Sequence, residues 1–332
     1  MTKDLSKYEK YYYWLILFFI AFVVDKIMVG FHAHDFIICC NETQTVISGT
    51  PKWIAFQSRL MGPYFVEYMS YIGGISYCAA LKIFFSTMLI VEYFVLYYVL
   101  LKYTKNSYNL SLTYVVFFSL LLLGIQGQAR LAWDAIDIIV FTLFAYFIFT
   151  KKSTIYFVIL FLFAITNRES ALFIALYIII DSLSLKLPLK FSEISVNNMK
   201  KLLIGVFLII IGIVYMKLTR DYLFVESFFG SIGTDDRHRV FGNHVKIPSN
   251  VISFFKNFTN MNFINSLFGI LTIFYIFINF KKFNESNIKA LLIFIFLFSS
   301  IFIFGYANQT RMYTVIVPFL IFFHLSLKNK FD

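Results

Sequence analysis

Apolar stretches long enough to cross a bilayer, or nearly so, recur from Tyr11 almost to the C-terminus, separated by short polar connections. In hydrocarbon every backbone N–H and C=O must be satisfied within the protein, so continuous runs of this kind are read as transmembrane helices. The balance of residues agrees: 60% are hydrophobic and only 14% charged, with 44 Phe and 22 Tyr. The apolar runs leave no room for a separate soluble domain, so residues 1–332 form one membrane domain. The expected fold class is all-α: a polytopic membrane protein of about ten transmembrane helices. The spans fall near 11–31, 80–101, 112–125, 134–150, 154–166, 168–181, 201–219, 264–280, 288–305 and 311–327.

Charge sets the expected orientation. The formal net charge of +11 is not a nucleic-acid signal, because most of it sits in clusters at the ends of apolar runs. There it orients helices and meets anionic membrane lipids. Placing both termini in the cytoplasm puts sixteen Lys there, including Lys102, Lys105, Lys151, Lys152, Lys200, Lys201, Lys281, Lys282 and Lys289. Every cytoplasmic connection is then basic, as the positive-inside rule asks. The first run lacks a small-residue cleavage pattern and reads as an anchor in the plasma (inner) membrane. Two long connections, about 32–79 and 220–263, then lie outside.

The segment 64–79 competes with this count, because a span there would invert everything after it. Glu67 and the pair Gly73-Gly74 favour an interfacial element instead. Just before it, Trp53, Phe56 and Leu60 share one helical face, opposite Lys52 and Arg59, as in an amphipathic interfacial helix. Four spans (112–125, 134–150, 154–166 and 168–181) are short. A run of about 14 residues rises only ~21 Å against a ~30 Å hydrocarbon core. Their outer ends carry Gln126, Gln128, Arg130, Asp134 and Asp137, then Asn167, Arg168 and Glu169. Polar groups at that depth survive inside protein or beside water, so the hairpins imply an outward-facing cavity.

Arginine is distributed unusually. All seven (Arg59, Arg130, Arg168, Arg220, Arg237, Arg239 and Arg311) fall outside, against the positive-inside trend. Arg offers a planar, permanently charged fork that grips phosphate or carboxylate at two points. An anionic head group is one reading; interface anchors and local ion pairs are the other. Asp35 follows the first span in His32-Ala-His34-Asp35 and is either a solvated loop residue or a general base. Asp134 and Asp137 share a helix face and either cap that helix or line the cavity. Arg168-Glu169 reads as a mutual or inter-helix ion pair, or as part of the site. No metal is expected: HxHD is a weak signal, and its partners would have to come from the distant His238 or His244. Cys39, Cys40 and Cys78 make no disulfide framework or metal spacing. Phosphate-binding loops, dinucleotide motifs and nucleophile elbows are lacking, and no cofactor is expected.

In layout the chain resembles the GT-C superfamily of membrane glycosyltransferases, in a small bacterial form. The resemblance rests on an acidic residue, Asp35, straight after the first span, and on interfacial helices at about 51–61 and 64–77. Short polar-tipped hairpins follow, carrying Gln126-Gly-Gln-Ala-Arg130-Leu-Ala-Trp-Asp134 and Thr166-Asn-Arg-Glu-Ser170. The last span is entered through Asn308-Gln-Thr-Arg311-Met-Tyr313. The resemblance implies transfer of a sugar from a polyprenyl-phosphate carrier to a glycan, lipid or protein acceptor on the extracytoplasmic face, in cell-envelope synthesis. Asp35 would be the catalytic base. His34, Arg59, Arg130, Asp134, Asp137, Arg168, Glu169, Arg237, Arg239, Asn308 and Arg311 would bind substrate. The chain departs from larger members in lacking D-x-D or an adjacent acidic pair in the first loop, and a soluble C-terminal domain. Two other readings compete: a polysaccharide polymerase of the O-antigen type, and a transporter or flippase for a lipid-linked or anionic solute.

Overall fold

The computed structural model describes residues 2–31, 36–49, 59–125, 131–185, 195–223, 247–256, 278–279, 283–304 and 310–328. The chain is an all-α protein embedded in a membrane. Among the described residues, five helices are long and apolar enough to cross: α1 (Thr2–Phe31, apolar from Lys10), α4 (Tyr77–Tyr103), α6 (Ala132–Phe149), α9 (Met199–Leu223) and α11 (Glu285–Phe304). Shorter helices accompany them: α5 (Tyr108–Ile125), α7 (Thr154–Ile165), α8 (Leu172–Asp181), α10 (Ile247–Lys256) and, after α11, α12 (Val317–Lys328), the last entered by a 3-10 segment, Thr310–Ile316. The expected span at 264–280 falls almost wholly outside the described residues. One departure from pure helix is a two-residue antiparallel pairing of Leu183-Ser184 with Ser195-Val196.

Helix α6 is the axis of the bundle. Its side chains from Ala132 to Ile138 are all buried, and it packs against α3 (Met61–Gly73), α4, α7, α11 and α12. Phe144 meets Phe157, Tyr177 and Phe319 edge-on. Edge-to-face contacts let aromatic quadrupoles attract while filling volume, which is how a Phe-rich core reaches close packing. Helix α1 enters along α4, with Trp14 against Phe94 and Tyr97. Outward-facing side chains stay apolar, as Leu203, Phe207, Ile210 and Ile213 do on α9. That surface is what lipid contact requires.

The segment read as interfacial is a separate element. Helix α3 ends at the glycine pair, with Gly74 in the left-handed region (φ 57°), where a side chain would strain the backbone. Ser76 then caps α4 by accepting from the Ala79 N–H. One face of α3 is buried at Gly62, Pro63 and Val66. The other exposes Tyr64, Phe65, Tyr68, Tyr71 and Ile72, an aromatic row of the kind enriched at membrane–water interfaces. Of the helix expected at about 51–61, residues 51–58 lie outside the described residues, and Arg59 and Leu60 are non-helical. The preceding helix α2 (Phe36–Ile47) corrects one expectation from the sequence: Cys40 is joined to Cys78 at the start of α4 by a disulfide. The cysteines are remote in sequence but meet because α2 folds back on α4, whereas the adjacent Cys39 stays outside the bridge.

At the opposite end of the bundle a second polar cluster ties α8, α9 and α11. Asp181 accepts from Lys201 at 2.5 Å and Lys289 at 3.3 Å, and Lys289 also reaches Glu285 at 3.0 Å.

Candidate functional site

The site is assembled from three pieces of chain. The first is the start of α6. Asp134 Oδ2 accepts from the Leu131 N–H at 2.9 Å, so this carboxylate closes the helix start, where unpaired N–H groups favour an acid. The second is the turn between α7 and α8, residues Thr166–Ala171, held against the first connection because the N–H groups of Leu60 and Met61 both donate to the Thr166 carbonyl. The third is Arg59 itself, just before α3. Gly62 lets this connection sit on α6: a Cβ there would lie 2.8 Å from the Ala132 carbonyl carbon.

These pieces bring five of the expected site residues together. Arg168 Nη1 donates to Asp137 Oδ2 at 2.8 Å and to Asp134 Oδ1 at 3.3 Å. Asn167 Nδ2 donates to Asp137 Oδ1 and to the Trp133 carbonyl, at 2.8 and 2.9 Å. Arg59 meets Glu169 side-on, Nη2 to Oε1 at 2.7 Å and Nε to Oε2 at 3.4 Å. The Arg59 guanidinium also lies over the Trp133 ring, 5.2 Å from its centroid, a favourable stacking for a planar cation. The two neighbours Arg168 and Glu169 therefore do not pair with each other. They turn to opposite partners, Arg168 toward α6 and Glu169 toward the first connection.

Burial grades the members. Asp137 and Asp134 have side chains 3% and 8% exposed, Arg168 14% and Glu169 33%. Glu169 is thus the carboxylate of this group nearest to solvent. Burial would raise its pKa, but the Arg59 guanidinium overrides this and holds it at about 2. Burial likewise works against the cation at Arg168, where Asp137 and Asp134 outweigh it and push the pKa up. At Arg59 burial wins over Glu169, and the pKa is lowered. The arrangement braces two guanidinium groups with three carboxylates at one end of the bundle, with Glu169 toward solvent.

Asp35, His34, Arg130, Arg237, Arg239 and Asn308 lie outside the described residues, as does the side chain of Arg311. Asn167 and Trp133 join the site although they were not among the expected ligands. The sequence marked Asn167 only as one of the polar groups at the hairpin tips, and Trp133 carries no signal beyond preceding Asp134. No cluster of His, Cys, Asp and Glu suited to a metal occurs among the described residues. No family model, no curated protein and no solved structure matches this chain.

Proposed function

We propose that this protein is a membrane glycosyltransferase that moves a sugar from a polyprenyl-phosphate carrier to a glycan, lipid or protein acceptor at the extracytoplasmic face. The observation that supports it best is the docking of the first connection onto the polar ends of the short hairpins, through Arg59–Glu169 and the Thr166 carbonyl. A lipid-phosphate donor needs a reaction zone at head-group depth, roofed by protein and lined with donors for the departing phosphate. A transfer of this kind needs one base for the acceptor hydroxyl, and Asp35 is assigned that role.

The same reading takes ten spans. The five long helices and the short helices α5, α7, α8 and α12 are nine of them, and 264–280 is the tenth. It places both termini in the cytoplasm of a plasma-membrane protein. The Cys40–Cys78 disulfide supports this orientation independently of the lysines, because disulfides persist on the oxidising side.

The test is label transfer in membranes carrying a radiolabelled polyprenyl-phosphate sugar pool. Wild type should move label from carrier to acceptor, and Asp35→Asn should lose at least about a hundredfold in rate with normal expression. Wild-type membranes that leave every monosaccharide carrier untouched would sink the reading. Transport is the second reading, and Glu92 is what favours it: this carboxylate is buried within α4, and ionisable groups within spans often mark solute or proton paths. Uptake or flipping that Glu92→Gln abolishes, without any sugar transfer, would decide for it.

A further inference from the structure

The two described arginines of the site use their donors differently, and the difference separates a fastening from a receptor. Arg59 spends its side-on edge, Nε and Nη2, on Glu169. Arg168 directs a single nitrogen, Nη1, at both Asp134 and Asp137. Among the described residues, its Nε and Nη2 meet no hydrogen-bond or ion-pair partner. That leaves two roughly parallel N–H donors on a planar cation that keeps some solvent access. The two carboxylates hold the cation in place, so little side-chain freedom remains to be lost when a ligand arrives.

We propose that the Nε–Nη2 edge of Arg168 receives the phosphate oxyanion of a lipid head group, with Asp134 and Asp137 positioning the guanidinium from behind. A side-on guanidinium edge matches two oxygens of one phosphate, whereas a lone hydroxyl or carbonyl fills only half of it. The edge sits in the turn between two short apolar helices, at the end of the bundle where α3 presents its row of exposed aromatic side chains. That is the depth at which a phosphate attached to a lipid chain would arrive. The inference rests on the glycosyl-transfer reading for the source of the phosphate, and on geometry alone for the residue that takes it.

The experiment uses the full-length protein in a phosphate-free maltoside detergent, with polyprenyl phosphate, polyprenol and inorganic phosphate as probes. Arg168→Lys keeps a cation for Asp134 and Asp137 but removes the second edge. It should weaken polyprenyl phosphate binding at least about tenfold while polyprenol binding stays unchanged. As a check that needs no variant, polyprenyl phosphate should slow phenylglyoxal modification of wild type at Arg168. Equal binding of polyprenyl phosphate and inorganic phosphate by wild type and variant, or no protection of Arg168, overturns the proposal. Inorganic phosphate binding that is lost in the variant, with polyprenyl phosphate held equally by both, overturns the lipid source and keeps the oxyanion edge. Sugar transfer that continues beside unchanged binding removes Arg168 and leaves glycosyl transfer standing. Binding lost in the variant, where wild type transfers no sugar, keeps Arg168 and removes the transferase.

Discussion

A buried carboxylate is tolerated only with a partner, and Asp137 shows how the site meets that condition. Both its oxygens are taken, one by Asn167 and one by Arg168. Removing the cation while leaving the acids should therefore cost more than losing one surface pair. Arg168→Met is expected to destabilise the protein by roughly 3–5 kcal/mol, read as unfolding free energy in mixed micelles, with Arg168→Lys costing much less. The Arg59–Glu169 pair makes a pH prediction. Glu169 is held at about 2 rather than its ordinary 4.5, so its stabilising effect is complete above the ordinary value. It fades as pH falls from about 4.5 toward 2. Wild type should exceed Glu169→Gln in stability at pH 6, and the gap should close over that acid window. A gap that stays constant down to pH 2 would show that the pair is not what distinguishes them. At this scale the sequence marked Asp134, Asp137, Arg168 and Glu169 as polar groups at helix ends, and Arg59 as a cation on the polar face of an interfacial helix. It could not show who pairs with whom, because Arg59 and Glu169 are 110 residues apart.

Among the elements, the first connection is where local signals and packing meet. The glycine pair and Glu67 marked a break before α4, and the structure has α3 ending there with Gly74 in the left-handed region. What places α3 is Gly62, whose missing side chain admits Ala132. Gly62→Val should cost about 1–3 kcal/mol by overpacking and release the Arg59–Glu169 contact. A rise in phenylglyoxal reactivity at Arg59 would report it, and unchanged reactivity would count against this account. The Cys40–Cys78 bridge fastens the other side of the connection. Cys40→Ser should lower stability by about 2–4 kcal/mol, and wild type should shift in mobility between reducing and non-reducing gels while the variant does not. The spacing of these cysteines carried no sign of a pairing. Their approach depends on α2 lying along α4, which is a tertiary fact.

For the whole molecule, the expected alternation of faces can be checked through its two polar ends. One end gathers Arg59, Arg168 and the disulfide; the other gathers Asp181, Lys201 and Lys289. Single cysteines placed in a Cys39→Ser, Cys40→Ser, Cys78→Ser background at Lys105 and at Tyr71 should differ in their reaction with an impermeant maleimide added to intact cells. Labelling is expected from outside at Tyr71 alone. Both positions reacting from one side would undo the ten-span reading.

Membrane residence and helical class were legible in composition and run length, because lipid leaves a backbone few ways to satisfy itself and apolar length maps directly onto span length. The break at Gly73-Gly74 and the acid at the start of α6 were legible for a similar reason, since turns and helix starts are governed by neighbours in the chain. Short apolar helices were visible too, though their run lengths carried no information on which neighbours they touch. The pairing of Arg59 with Glu169, the brace of Asp134 and Asp137 behind Arg168, and the meeting of Cys40 with Cys78 were settled only when α6 became the axis and the first connection closed over its end. Ion pairs and disulfides are short-range contacts between distant parts of a chain, so their partners are chosen by packing rather than by sequence spacing.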